Sequence, residues 1–337
     1  MSKKHHSKNH KRNDRLLKII AVILAIVIVV CGILYAISLW ERYSGEYNKP
    51  NGNEQLSQVM EYQGKSYKLN EDIETILVLG LDKFERYDDE TYNNDMQADF
   101  LLLLVIDNKK EECTALHINR DTVTRMSVLG VAGDSIDTVS QQIALAHTYG
   151  NGKEISCRNT SEAVSGLLLN VGIDHYVSVT MDAVETYNDL VGGVTVEVLD
   201  DFSGVDDTLI KGKEVTLKGE HALTYVRSRY GLDDSTNNHR MERQRQYLEA
   251  LYRKTVDCLA EDEDFIVNSA SQISTDLVSD CSVNRLQSIA EKIVEYQFTG
   301  IRDIKGETVM GETYFEFYPD EDSVKKTVVE LFYVPEN

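Results

Sequence analysis

Phe100-Leu101-Leu102-Leu103-Leu104-Val105-Ile106, then Asp107-Asn108-Lys109-Lys110-Glu111-Glu112, then Thr114-Ala115-Leu116-His117-Ile118 is the stretch that decides the fold. Two apolar runs of strand length enclose a charged turn, and neither alternates with polar residues. Strands that are apolar on both faces form a hairpin in the middle of a covered sheet. Outward from it, Ile76-Leu77-Val78-Leu79-Gly80 reads as another buried strand ending in a glycine turn, and order is expected to begin there. Further strands are expected at Tyr176–Thr180, Val194–Val198 and near Thr313–Tyr318. Helices are expected over 138–149, 160–171, 182–190 and 220–229, and near 284–297. A long helix should run from about Asn238 to Leu259, where Met241, Tyr247, Leu248, Leu251 and Val256 fall near helical spacing. The pattern predicts an α/β fold, one mixed sheet with helices on its faces. Its main domain would cover 71–260, with 261–337 packed on the same core.

The N-terminus has another character. Its first 18 residues hold seven Lys or Arg against one acid, and Ile19–Trp40 then runs 22 residues without a charge. At about 1.5 Å per residue such a helix crosses a hydrocarbon core of roughly 30 Å. Trp40 and Tyr43 stand where interfacial aromatics belong, and the basic flank assigns the N-terminus to the cytoplasm. A cleaved signal peptide fits less well, because no small-x-small site follows the apolar run. The expectation is a single-pass cell-membrane protein: residues 1–18 a cytoplasmic tail, 19–40 an anchor, 41–70 an extracytoplasmic stalk. The chain carries a net charge of −21, and the part beyond the tail is more acidic still. That balance excludes nucleic acid as a partner, since such binding relies on a broad basic surface. Cys113, Cys157, Cys258 and Cys281 form no metal-ligand spacing, and their pairing stays open.

Against this acidic background five arginines recur in two short stretches. Arg120 lies in His117-Ile118-Asn119-Arg120-Asp121-Thr122; Arg227 and Arg229 close Tyr225-Val226-Arg227-Ser228-Arg229, and Arg240-Met241-Glu242-Arg243-Gln244 follows a polar loop. Guanidinium is always charged and its planar fork matches phosphate oxygens, so the set indicates one local site for a pyrophosphate. Arg227 and Arg229, two apart, share a ligand only if their helix ends there; Arg240 and Gln244, four apart, share a face. Asp82 follows one strand end and Asp99 opens the next strand. Such a pair suits Mg²⁺, which takes one or two carboxylates plus phosphate oxygens. Solvated turn acids are the competing reading of this pair. Asp121 is the nearest candidate to orient an attacking hydroxyl or to hold Arg120, the latter being favoured. His117 alternates with apolar neighbours and reads as a satisfied buried histidine.

These residues resemble the LytR-CpsA-Psr proteins of bacterial envelopes. The similarity is carried by Leu79-Gly80-Leu81-Asp82, Ala98-Asp99, Asn119-Arg120-Asp121-Thr122, Leu190-Val191-Gly192-Gly193-Val194, Leu217-Lys218-Gly219-Glu220-His221-Ala222-Leu223, Tyr225-Val226-Arg227-Ser228-Arg229 and Arg240-Met241-Glu242-Arg243-Gln244, in order from about 74 to 252. The resemblance implies a three-layer α/β/α sandwich and a phosphotransferase that moves a glycopolymer from a polyprenyl-pyrophosphate carrier onto peptidoglycan. By position, Asp82 and Asp99 would hold Mg²⁺, or Mn²⁺ in its place, and Arg120, Arg227, Arg229, Arg240 and Gln244 would grip the diphosphate. Two departures stand out: Gln97-Ala98-Asp99 where the family often has Arg before its Ser-Asp pair, and Gln142-Ile143-Ala144 for the usual Lys-Ile-Asn. Each removes a cation. A non-catalytic binder of lipid-linked precursors and a lipid-pyrophosphate hydrolase therefore stay open as alternatives. A cytoplasmic DNA-binding regulator is excluded by topology and charge.

Overall fold

The computed structural model describes residues 58–82, 96–228, 237–262, 272–281 and 296–336, with the single positions 265, 269, 285 and 292. The expected tail and anchor, most of the stalk, Arg229 and most of the expected helix near 284–297 lie outside the described residues. No helix among the described residues is long and apolar enough to cross a membrane.

In chain order the elements are β1 (Val59–Tyr62), β2 (Lys65–Leu69), β3 (Ile73–Leu81), β4 (Ala98–Asp107), β5 (Glu112–Ile118), β6 (Val123–Leu129) and β7 (Ser135–Gln142). A 3-10 helix (Ile143–Tyr149), α1 (Glu154–Leu167), β8 (His175–Thr180), α2 (Met181–Leu190), β9 (Val194–Glu197), β10 (Glu214–Leu217), α3 (Glu220–Arg227) and α4 (Asn237–Glu261) follow. The remainder is β11 (Leu277–Ser279), β12 (Gln297–Asp303), β13 (Gly306–Met310), β14 (Phe315–Pro319), α5 (Glu321–Phe332) and β15 (Tyr333–Pro335).

Six strands form the central sheet in the order β11-β8-β3-β4-β5-β12. The β4–β5 hairpin is antiparallel and interior, β3 pairs antiparallel with β4 and parallel with β8, and β12 joins β5 in parallel, so the sheet is mixed. In the charged turn the Asp107 carboxylate accepts from the backbone N–H of Lys109 and Lys110 at 3.0 and 2.9 Å. Successive side chains point to opposite faces. Ile76, Leu102, Leu104, Ala115 and Val177 therefore pack with Tyr187 of α2, Tyr225 of α3 and Tyr247 of α4. Leu77, Leu79, Leu101, Leu103 and Leu116 pack on the other side with Ile143, Val164 of α1 and Val328 of α5. Both faces are buried, which is why the strands lack polar alternation.

Three expectations need correction. Order begins before Ile76: residues 59–69, expected as stalk, form the β1–β2 hairpin, to which β15 adds. Its turn residues Gln63 and Gly64 both have positive φ (49° and 72°), as a two-residue hairpin turn matched to strand twist requires. The expected helix over 138–149 is strand to Gln142 and only then a 3-10 helix. Thr138 and Val139 are β-branched and pair with Ser127 and Met126 of β6, a context that outweighs the helical reading. The expected helix over 160–171 starts earlier and stops sooner, at 154–167, because Leu169 and Asn170 turn left-handed (φ 57° and 66°). Cys113, Cys157, Cys258 and Cys281 are free thiols.

Candidate active site

The carboxyl ends of β3 and β5 and the start of β4 open at one edge of the sheet. The register Leu81↔Ala98 sets Asp82 and Asp99 beside one another's strand ends. Gly80 is needed just before, since a Cβ there would lie 2.9 Å from Phe100 Cβ. A cleft of about 1050 Å³ lies at this edge, lined by Gln97, Asp99, Arg120, Asp121, Met181, Leu223, Arg227, Arg240 and Gln244, and by residues of β7, the 3-10 helix and β14.

Each member of the expected carboxylate pair is partnered by one of the expected arginines. Arg227 Nη2 lies 2.8 Å from Asp82 Oδ1, and Arg120 Nη1 donates to Asp99 Oδ1. The second Arg120 amino group donates to Gln97 Oε1, and its Nε faces the buried Asp121 carboxylate at 3.8 Å. Asp121 thus stands behind Arg120 rather than in open solvent. Arg227 is the last residue of α3; Ser228 leaves the helix in extended conformation, the helix end that the two-apart arginines demanded. Gln244 donates from Nε2 to the Val226 carbonyl at 3.1 Å.

Arg240 is aimed by a relay that the sequence did not single out. Its Nε donates to Asn237 Oδ1 at 2.8 Å, and Asn237 Nδ2 donates to Asn119 Oδ1 at 2.6 Å. The same Asn119 oxygen accepts the Asp121 N–H at 3.0 Å, so one side chain ties the strand end that carries Arg120 to the start of α4. The available signal was Asn237 itself, which the sequence reading left in the polar loop before a helix expected from about Asn238.

Arg243, counted in the arginine cluster, is not a ligand group. It is 1% exposed, donates to Asp200, to the Tyr225 carbonyl at 2.8 Å and to the Ser228 carbonyl, and lies over the Phe202 ring at 5.4 Å. It satisfies the carbonyls that the end of α3 leaves open and so fixes Arg227. Burial pushes its pKa down, opposed by Asp200.

The two glutamines that replace family cations have structural partners: Gln97 takes Arg120, and Gln142 Nε2 donates to the Phe315 carbonyl at 2.7 Å. The Phe317 N–H also donates to the Asp121 carbonyl at 2.8 Å, so β14 is stitched to the cleft. His117 is buried as expected but not satisfied, since its Nδ1 has no hydrogen-bond partner among the described residues. Burial first, then Arg245 and Arg240, lowers its pKa to about 3, so it is no base near neutrality. His147, lowered by burial to about 4, donates from Nδ1 to the Met96 carbonyl at 2.7 Å and anchors the residue before Gln97.

The donor set suits a hard divalent cation, for which the partly exposed carboxylates of Asp82 and Asp99 would offer oxygen ligands; Asp99 lines the cleft, and Asp82 meets it through its ion pair with Arg227. Charge points the same way. Among the described residues, the cleft lining sets four carboxylates (Asp99, Asp121, Glu220, Glu316) against three guanidiniums (Arg120, Arg227, Arg240). A diphosphate therefore gains little from this lining unless a cation accompanies it.

Comparison with known proteins agrees in fold and sequence. The LytR_cpsA_psr family model matches residues 35–331. A Bacillus licheniformis protein named polyisoprenyl-teichoic acid–peptidoglycan teichoic acid transferase TagU is 24% identical over 330 residues, covering 96% of this chain and 97% of that one. The crystal structure of Bacillus subtilis TagV superposes with a TM-score of 0.58 at 26% identity, covering 77% and 96% of the two chains. A structure of TagT bound to LIIa-WTA, 20% identical, shares the fold with a TM-score of 0.56 over 78% of this chain and 90% of that one.

Proposed function

The chain belongs to the LytR-CpsA-Psr family, and from that premise we propose that it is a membrane-anchored phosphotransferase moving a glycopolymer from a polyprenyl-pyrophosphate carrier onto peptidoglycan. The observation that carries this reading is the convergence of Arg120, Arg227 and Arg240 with Asp99 in one cleft, each held by a defined partner. The transferase names of its relatives support it.

The reaction asks little covalent chemistry of the protein; positioning and charge neutralisation dominate phosphoryl transfer. A hydroxyl oxygen of the acceptor glycan attacks the sugar-side phosphorus, and the bond from that phosphorus to the bridging oxygen breaks. Polyprenyl monophosphate leaves with the bond's electron pair, and the hydroxyl proton passes to solvent or to the departing phosphate. Arg120, Arg227 and Arg240, with Arg229 and Gln244, stabilise the charge on the diphosphate and the leaving group. Asp121 and Gln97 hold the Arg120 fork, and Asn237 holds that of Arg240, so little reorganisation is needed as charge develops. Asp82 and Asp99 would hold Mg²⁺, which when bound neutralises diphosphate oxygens. Met181 and Leu223 give the cleft an apolar side beside Arg227 that suits the first isoprene units. An apolar segment at 19–40 would keep the site beside its lipid substrate.

Full-length protein in detergent, given lipid-linked glycopolymer, peptidoglycan and Mg²⁺, tests the reading. Arg227→Ala and Asp99→Ala should each lower transfer by about 10²-fold or more, the scale of removing one transition-state charge partner. Normal transfer by either folded variant contradicts it. Binding without transfer by wild type indicates a precursor-binding regulator, and release of free polymer a hydrolase.

A further inference from the structure

A second cluster of ligating side chains stands at the end of the sheet remote from the cleft. His175 opens β8 and pairs with Ile76, whereas Thr180, five residues on, pairs with Leu81 beside the cleft. That length of strand separates the two ends by about 17 Å. β11 runs antiparallel to β8, and its last pair is Ser279↔Val177. Asp280 and Cys281 follow, and so return to the start of β8. A ring nitrogen of His175, a carboxylate oxygen of Asp280 and the Cys281 sulfur all lie within 4.8 Å of one another. We propose that these three side chains form a Zn²⁺ site, a clip that fastens the edge strand β11 to the sheet. The inference does not depend on the transferase reading.

His175 Nδ1 is shielded from solvent and makes no hydrogen bond among the described residues; Asp280 Oδ1 lies 3.6 Å from it. That is too long for a hydrogen bond. It is close to the edge of a tetrahedral zinc site, about 3.4 Å between two ligands each about 2.1 Å from the metal. The ligands are also held in advance. Asp280 Oδ1 accepts the Tyr176 N–H at 3.0 Å, the Ser279 hydroxyl donates to the Tyr176 carbonyl at 2.6 Å, and the Cys281 N–H donates to Ser279 Oγ at 3.1 Å. Outer bonds of this kind orient metal ligands. One imidazole, one carboxylate and one thiolate suit Zn²⁺, whereas Mg²⁺ takes oxygen. Cys281 is buried, but the His175 and Asp280 side chains are 23% and 25% exposed, which leaves the fourth position to water. The surroundings favour a cation. His175 shares a pocket of about 350 Å³ with Glu71, Glu74 and Asp174, and the pocket's Arg285 and Lys292 are both engaged by Glu74, at 2.6 and 3.2 Å. Zn²⁺ binding would release the thiol proton to solvent.

The test uses reduced full-length protein in detergent, stripped by chelator and titrated with Co²⁺ or Zn²⁺. Co²⁺ reports its own ligands, because a bound thiolate gives a charge-transfer band in the near ultraviolet. His5, His6 and His10 of the N-terminal tail can also take metal, so the thiolate band is read in place of stoichiometry. Wild type should develop the band, and Zn²⁺ should abolish it. Zn²⁺ at about 100 times its Kd should raise the thermal midpoint by roughly 5 °C or more. Mg²⁺ should do neither, which separates this site from the cation assigned to Asp82 and Asp99. Cys281→Ser should lose the band, and Cys258→Ser should keep it. His175→Gln and Asp280→Asn should each weaken Zn²⁺ by about 100-fold. A wild type without the band, or a band that survives in Cys281→Ser, overturns the proposal. If Cys281→Ser fails to fold, the other two variants decide: unchanged Zn²⁺ affinity in either one overturns it.

Discussion

The contact between Arg243 and Asp200 sets the most demanding test of how the site is held. Both residues are almost wholly buried, at 1% and 3% exposure, so solvent screening does little to weaken the pair. Asp200→Leu leaves a buried guanidinium whose hydrogen-bond partners are the Tyr225 and Ser228 carbonyls alone. Removing one member of such a pair costs about 3–5 kcal/mol. Arg243→Met should cost a similar amount; it strands Asp200, whose remaining partner is His239 at 3.0 Å, and frees two carbonyls of the α3 terminus. In Asp200→Leu/Arg243→Met no charge is stranded at this pair. What remains is the loss of two carbonyl hydrogen bonds, roughly 2–3 kcal/mol in all. The double variant should therefore be more stable than either single one, with a coupling energy of about 3 kcal/mol or more. Urea denaturation followed by far-ultraviolet circular dichroism measures it. Additivity within about 0.5 kcal/mol would refute the claim that the pair is energetically one unit. Total stability of a domain is only about 5–15 kcal/mol, so single variants that fail to fold beside a folded double variant support it equally. The folded double variant should still lose transfer, because Arg227 is no longer fixed.

Chelation by EDTA should abolish transfer and weaken diphosphate binding, with Mg²⁺ restoring both; full activity in EDTA refutes the cation assignment to Asp82 and Asp99. His117 and His147 are held at about 3 and 4, below their ordinary 6.5, by burial. Between those values the unfolded chain binds protons that the native state refuses, so their contribution is fully present above pH 6.5 and is lost as pH falls, by up to about 1.4 kcal/mol per unit for each histidine. His117→Phe with His147→Gln should flatten the stability profile between pH 7 and 5, and an unchanged slope in urea titrations counts against this. Gly193→Ala should destabilise by more than about 1 kcal/mol, since φ is 91° and the new Cβ would meet the Leu217 carbonyl at 2.7 Å; thermal unfolding within a degree of wild type disproves it.

What the sequence made legible follows from local physics. The β4–β5 hairpin, α2 and α4 could be read because burial on two faces or on one stripe writes a period into the chain. The β1–β2 hairpin was legible too, in alternating Met60 and Tyr62 and a Gln63-Gly64 turn, but its polar surroundings read as stalk. β7 was misread because a ribbon exposed along most of its length has no apolar face to announce it. The charged residues of the site were visible as types at strand and helix ends. Their pairing was not: that Arg120 faces Asp99, that Arg243 belongs to Asp200, and that Asn119 and Asn237 aim Arg240 depend on residues up to 118 positions apart meeting in space. The C-terminal contribution was the least legible, since Tyr314 and Glu316 join the cleft lining only when β14 reaches it.

The pairing of β15 with β2 bears on biosynthesis. Tyr333 meets Leu69, and β12 covers the outer side of β5. During synthesis more than two hundred residues must emerge after β2 before its second partner, β15, exists, and closing so long a loop is slow. Until then β5 presents a naked edge able to recruit a neighbouring chain. Polypeptides released early, before residue 297, should accumulate as aggregates or protease targets even though every charged group of the catalytic cluster has already been made.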